Sequence, residues 1–252
     1  MAIMTPLDSH WFVIPLNPFF CSALQSAVGF AFGLFSVPLL MLSGLSVQKA
    51  VFLVALASAL QSSMIVIKLR HAFRWREVWL MSLATVLTLP LGIWLLRLLA
   101  GHEKRVIRLW IGGILLVVVL LQLCLLVRPR ERLHWGWDLL AAALGGILSG
   151  LLSIGGPPIV LWTHAHRWSN EKIRVILPAL GLPVVPFKLV MFLATFGPSI
   201  LPSLGEAVIY VPAIWAGVEL GHAVGSRLPA AHLRVLAYVL LIFLCLSTMF
   251  GP

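Results

Sequence analysis

Uninterrupted apolar runs about as long as a bilayer is thick constrain this chain more than any motif in it. Residues 50 to 67, 78 to 96, 109 to 127 and 235 to 252 carry no charged side chain. A helix needs about 20 apolar residues to cross roughly 30 Å of hydrocarbon, so each run reads as one crossing. Residues 175 to 205 and 206 to 226 read as two further spans, interrupted by Lys188 and Glu219 respectively. Residues 11 to 48 and 139 to 163 are also charge-free, but too long or too rich in Gly and Pro for one regular helix. Only 10% of the residues are charged, against about 25% in soluble domains, so a water-facing surface cannot be built. The expectation is an all-α integral membrane protein forming a single membrane domain over residues 1 to 252, with six to eight transmembrane helices.

The two irregular blocks share a chemistry. Gly29, Gly33 and Pro38 are expected to interrupt the first, and Gly145, Gly146, Gly150, Gly155, Gly156, Pro157 and Pro158 the second. Proline removes a backbone donor and clashes with the preceding turn. Irregular backbone survives at membrane depth only where protein buries it or water reaches it, so each block is a candidate for a lined cavity. Glycine lets a ligand approach the main chain, and freed N–H groups at a half-helix N-terminus attract anions. For Gly146 and Gly150 the spacing by four favours helix packing. The consecutive prolines after Ser153-Ile154-Gly155-Gly156 favour a functional break, because packing does not require them.

The chain also repeats itself. Leu91-Gly92 followed by Arg105-Val106 recurs with the same spacing as Leu220-Gly221 followed by Arg234-Val235. A Gly/Pro-rich block precedes each set, which gives related halves at about 19–127 and 138–250. Paired broken helices in corresponding positions point to a transporter site near the midplane. If every block crosses the membrane, the loops place ten Lys and Arg on one side and seven on the other. If the two irregular blocks are re-entrant hairpins, the division becomes twelve and five, which suits the positive-inside rule better and makes the halves inverted. The net charge of +10 is thereby an orientation signal and not a nucleic-acid footprint.

The strings GGILSGLLSIGGPPIVLW, GFAFGLFSVPLL, KLRHAFRWREVW and RWSNEKIRVILPAL together resemble the TauE/SafE family of sulfite exporters, over about Ser22 to Ser247. The second-half G-x-x-S-G-x-x-S-x-G-G-P-P stretch is the most specific piece. Where many relatives carry Gly-x-Gly, this chain has Gly29-Phe30-Ala31, which leaves less room for backbone approach. The resemblance implies a multi-pass protein of the bacterial inner membrane that exports sulfite, organosulfonates or other small anions.

The residues themselves are compatible with an anion. Lys188 either neutralises a bound anion, snorkels to an interface, or pairs with Glu219. Glu219, in a Gly217, Gly221, Gly225 ladder, is the candidate coupling carboxylate, or else an interfacial residue. Gln25, Gln61, Ser62, Ser63, Ser149 and Ser153 can donate to an oxyanion without a permanent charge, or bond between helices. The candidate substrate-binding set is Gly29, Gly33, Pro38, Gln61, Ser149, Ser153, Gly155, Gly156, Pro157 and Lys188. His164 and His166 read as interfacial, Cys21, Cys124 and Cys245 as packing residues, and Trp75, Trp79, Trp110, Trp135, Trp137 and Trp168 as an interfacial belt. Neither a metal nor a cofactor is expected. An enzyme is not expected either, since the apolar blocks hold no HExxH, no GxSxG and no carboxylate cluster. A non-transporting scaffold is the alternative class. The sequence leaves the substrate, the coupling ion and the presence of a homo-oligomer open.

Overall fold

A computed structural model of the chain describes residues 10–28, 32–124, 134–227 and 230–250. These residues form helices α1 (His10–Val28), α2 (Phe32–Leu42), α3 (Val47–Lys68), α4 (Trp75–Ala100), α5 (Lys104–Cys124) and α6 (Trp135–Leu152). They continue with α7 (Gly156–His164), α8 (Asn170–Gly181), α9 (Val184–Phe196), α10 (Pro202–Arg227) and α11 (Ala230–Phe250), with no strand among the described residues. Six helical stretches are long and apolar enough to cross a bilayer: Val47–Lys68, Trp75–Ala100, Lys104–Cys124, Trp135–Leu152, Glu171–Phe196 and Pro202–Gly225. The expected all-helical membrane architecture is therefore present.

Local chemistry sets the helix ends. Ser46 and Ser169 cap α3 and α8, their hydroxyls accepting from the N–H groups of Lys49 and Lys172. Such caps contribute about 1 kcal/mol each. Gly197, at φ 75°, ends α9 and Pro202 opens α10. These stops correct the expected spans at 175 to 205 and 206 to 226: the first ends at Phe196, and residues 197–201 form the turn between them. Two further corrections concern the irregular blocks. Gly145, Gly146 and Gly150 lie inside a continuous α6, and Gly33 and Pro38 lie inside α2. Pro38 lies in the interior of α2 and removes the donor that the Leu34 carbonyl would receive, yet the helix continues through it.

Ion pairs show which helix ends lie together. His71 meets Glu171 (3.3 Å), Lys172 meets Glu77 (2.8 Å) and Lys68 meets Glu219 (3.0 Å), all at one end of the bundle. Lys49 meets Glu206 (2.7 Å) at the other. An arrangement in which every block crosses puts residues 71 and 171 at opposite ends, and the observed pairs contradict it. Instead α1 runs to the His71 end and α2 returns, with Asn17 donating to the Ser36 carbonyl (3.3 Å) and Phe20 edge-on to Phe35. Likewise α6 leaves the His71 end and α7 returns to it, fastened by Trp162 Nε1 donating to Asp138 (2.6 Å). Both blocks are hairpins.

Glycine allows each hairpin to nestle against a distant helix. Gly217, Gly221 and Gly225 of α10 lie against the backbone of Phe19, Ala23 and Ala27 in α1, in parallel. Gly146 and Gly150 of α6 lie against Thr85 and Leu89 in α4, and Gly92 lies against Ile147, again in parallel. Close backbone approach of this kind is how membrane helices associate where the hydrophobic effect gives no preference between protein and lipid. The packing expected of both glycine sets is observed. The lipid-facing flanks carry Trp75, Trp79, Trp110, Trp135 and Trp137, all more than half exposed. Trp168 instead stacks on His166 (4.2 Å) beneath Lys172.

Candidate functional site

The turn between α6 and α7 is the most unusual backbone in the bundle. Ser153 ends α6 in the left-handed region (φ 57°, ψ 25°), the only described non-glycine residue at positive φ. Such a conformation is a rarity that surroundings must hold in place. Two bonds do so here: Ser153 N–H donates to the Ser149 carbonyl (3.0 Å) and Ile154 N–H to that of Leu148 (3.2 Å). The Ser153 hydroxyl donates to the Val51 carbonyl of α3 (2.8 Å) and accepts from Lys188 Nζ of α9 (3.2 Å). One side chain thus ties the turn to two other helices.

Beyond the turn the donors are unspent. Gly155 and Gly156 N–H groups donate to no protein atom among the described contacts, and Pro157 and Pro158 have no N–H to offer. Gly155 has its own packing reason to be glycine, since a Cβ there would stand 2.9 Å from the Gly145 carbonyl. At Gly156 a Cβ would meet only Leu177 Cδ2 at 3.5 Å, so that position is open. Gly33 marks the place where the hairpins touch: a Cβ would stand 2.6 Å from the Ser153 carbonyl.

A cavity of about 120 Å³ lies at this meeting point. Its walls come from both hairpins and from α3, α4, α8 and α9. Polar groups line it: Gln25, Ser58, Gln61, Ser62, Thr85, Ser149 and Ser153, with Lys188 as its one ionisable lining residue. Lys188 is 5% exposed. An ammonium has three N–H bonds; one reaches Ser153, and among the described residues no second hydrogen bond from Lys188 Nζ to the protein is formed. Toward the Lys49 end, Phe52 and Phe192 close the bundle ring against ring, with centroids 5.9 Å apart.

The sequence that builds this site has counterparts among known proteins. Residues 18–248 match the family described as Sulfite exporter TauE/SafE. The chain belongs to the TauE/SafE family. A curated relative from Cupriavidus necator, named "Probable sulfite/organosulfonate exporter TauE", is 24% identical over 227 residues, spanning 89% of this chain and 88% of the relative. No solved structure matches.

In this TauE/SafE chain the expected site residues divide into three groups. Gly33, Gln61, Ser149, Ser153, Gly155, Gly156, Pro157 and Lys188 all line the cavity. Pro38, buried in α2, and Glu219 do not. Glu219 is 49% exposed and both its oxygens accept from Lys68 (3.0 Å), so it is not the partner of Lys188. Gly29 lies outside the described residues. Ser58 and Thr85 line the cavity without having been anticipated. Ser58 shares a helix face with Gln61 and Ser62, at spacings of three and four, which is the signal that identifies it. Among the described residues no cluster could hold a metal ion. His164 and His166 each turn Nδ1 to a backbone carbonyl four residues earlier.

Proposed function

We propose that the protein carries small oxyanions of the sulfite and organosulfonate class outward across the bacterial cytoplasmic membrane, exposing the cavity alternately at the two ends of the bundle. The observation that carries this reading is the Lys188 ammonium, buried beside the unspent N–H groups of Gly155 and Gly156 with no carboxylate facing it. Charged donors and free amides at a helix N-terminus suit an oxyanion. The serine and glutamine side chains around them supply further donors without further charge. The name of the Cupriavidus necator relative supplies the sulfur chemistry.

The transport cycle has support in the packing. Helix α1 lies on α10 as α6 lies on α4, and the hairpins enter from opposite ends. Gly92 and Gly221, the two glycines of the sequence repeat, make matching contacts with the hairpin of the other half. Inverted halves around one central site are a common carrier design, because the two halves supply alternative outward and inward faces. The end carrying Lys68, Arg70, Arg74 and Arg76 is the cytoplasmic one by the positive-inside rule. Phe52 and Phe192 then form the barrier on the outer side of Lys188.

The test is flux in proteoliposomes containing only the purified protein, loaded in turn with sulfite, thiosulfate, taurine, acetate and chloride. Sulfite or sulfonate movement well above protein-free vesicles is the expected result. No movement of any anion by folded, inserted protein would favour a scaffolding role instead.

A further inference from the structure

We propose that Lys188 carries the coupling proton as well as the anion, so that each turnover moves one monovalent anion together with one proton. The inference rests on the carrier reading above and deepens it.

The accounting of charges leads there. Six carboxylates are described: Glu77, Glu103, Asp138, Glu171, Glu206 and Glu219. Five are engaged elsewhere, with Lys172, Trp162, His71, Lys49 and Lys68 respectively for Glu77, Asp138, Glu171, Glu206 and Glu219. Glu103 is exposed in the turn between α4 and α5. Helix α9 packs against α3, α4 and α8. Their ionisable residues are Lys49 and Lys68, Arg76, Glu77 and Arg97, and Glu171, Lys172 and Arg174, all in the terminal turns. None of them lines the cavity. Lys188 therefore has no resident counter-ion among the described residues.

A buried ammonium without a counter-charge is unfavourable, and the protein has two ways to avoid it. With an oxyanion in the cavity, the ammonium and the anion neutralise each other. With the cavity empty, the proton leaves Nζ for bulk water and the neutral amine keeps its hydrogen bond to the Ser153 hydroxyl. Proton and anion then enter and leave the site together, and binding of each strengthens binding of the other. The loaded site is neutral for a monoanion and negative for a dianion. Sulfonates and hydrogensulfite fit this rule, whereas sulfate does not.

The probe is isethionate, a sulfonate that stays fully ionised and carries no proton of its own. An isethionate gradient imposed on proteoliposomes should acidify the receiving compartment by one proton per anion, with a rate unchanged when the membrane potential is clamped. Sulfate should move at least tenfold more slowly. Lys188→Arg keeps its charge throughout the cycle. That variant should lose all coupled acidification, its net flux should fall at least tenfold, and any isethionate movement it still supports should be exchange without proton uptake. A measurement without a variant runs in parallel: calorimetry of isethionate binding at pH 8, in buffers of different ionisation enthalpy, should report about one proton taken up per anion. Anion movement with no proton uptake overturns the coupling and leaves the carrier reading standing. Absence of movement for sulfite and for every sulfonate overturns both.

Discussion

The two hairpins meet at Gly33 and Ser153, yet they treat their reversed backbones in opposite ways. In the first, the Gln25 side chain accepts the Phe32 N–H (2.9 Å), so the opening amide of α2 is satisfied from within the hairpin. In the second, the opening amides of α7 are left to the cavity, and the hydroxyl of Ser153 is spent on joining α3 and α9. Among the described residues, the first hairpin satisfies the amide that opens α2 and the second leaves a set of donors. Two hairpins that meet at one point therefore do not contribute alike, and ligand chemistry concentrates where backbone is strained and unsatisfied.

Removing the charge beside the second hairpin tests this contrast most severely. Lys188→Met keeps the length and apolar stem of the side chain and deletes the ammonium. Charge-assisted hydrogen bonds contribute about 1.5–3 kcal/mol, so anion affinity should fall by about 10- to 100-fold. Thermal stability of the purified, anion-free protein should hold or rise, because a buried amine with a single hydrogen bond contributes little to folding. Flux within twofold of wild type in proteoliposomes would remove Lys188 from the site.

The glycines discriminate between wall and donors. Gly33→Ala forces a Cβ to 2.6 Å from the Ser153 carbonyl oxygen and 3.1 Å from Ile154 Cγ1. Overpacking of this kind costs about 1–3 kcal/mol, so a lowered melting temperature and reduced flux should appear together. Gly156→Ala places its methyl in ordinary contact with Leu177. Stability should be unchanged there, while anion affinity falls a few-fold as the methyl crowds the free N–H groups. Equal melting temperatures for the two variants would break the comparison at its contact point.

A subtler version exchanges a satisfied amide for an orphan. Gln25→Leu deprives Phe32 N–H of its acceptor, which should destabilise the protein by about 1 kcal/mol, with a smaller loss of anion affinity than Ser153→Ala gives. Ser153→Ala should do the reverse, weakening anion affinity more than stability. Melting curves and competition assays on the same preparations read both quantities.

Much of this was legible in the chain because bilayer-length runs and proline pairs are local signals. Lys188 stood out as a charge inside an apolar span, and the run from Ser153 to Pro158 as backbone that cannot continue a helix. What sequence did not supply was partnership. Lys188 and Glu219 look like a natural pair in one dimension, but Glu219 belongs to Lys68, 151 residues away. The path of the irregular blocks was equally hidden, since loop charges only favoured hairpins, whereas His71 beside Glu171 shows which helix ends lie together. Pro38 misled because α2 continues through a proline in its interior, losing the hydrogen bond to the Leu34 carbonyl without breaking.

The smallest expected effect belongs to Glu219→Gln. Its partner Lys68 is 37% exposed and Glu219 itself 49%, and exposed pairs of this kind contribute about 0–1 kcal/mol. Because Glu219 lies outside the cavity lining, the flux and its pH profile should match wild type. The substitution nonetheless bears on the proton. A carboxylate in a glycine ladder looks suited to proton coupling, and α10 is packed against the first hairpin along that ladder. If neutralising it flattened the pH dependence, protons would be entering through the wall formed by α1 and α10, and the division between a passive first hairpin and an active second one would fail. An unchanged profile, beside a Lys188→Arg variant that moves no protons, leaves the second hairpin and α9 as the place where both ligands are held.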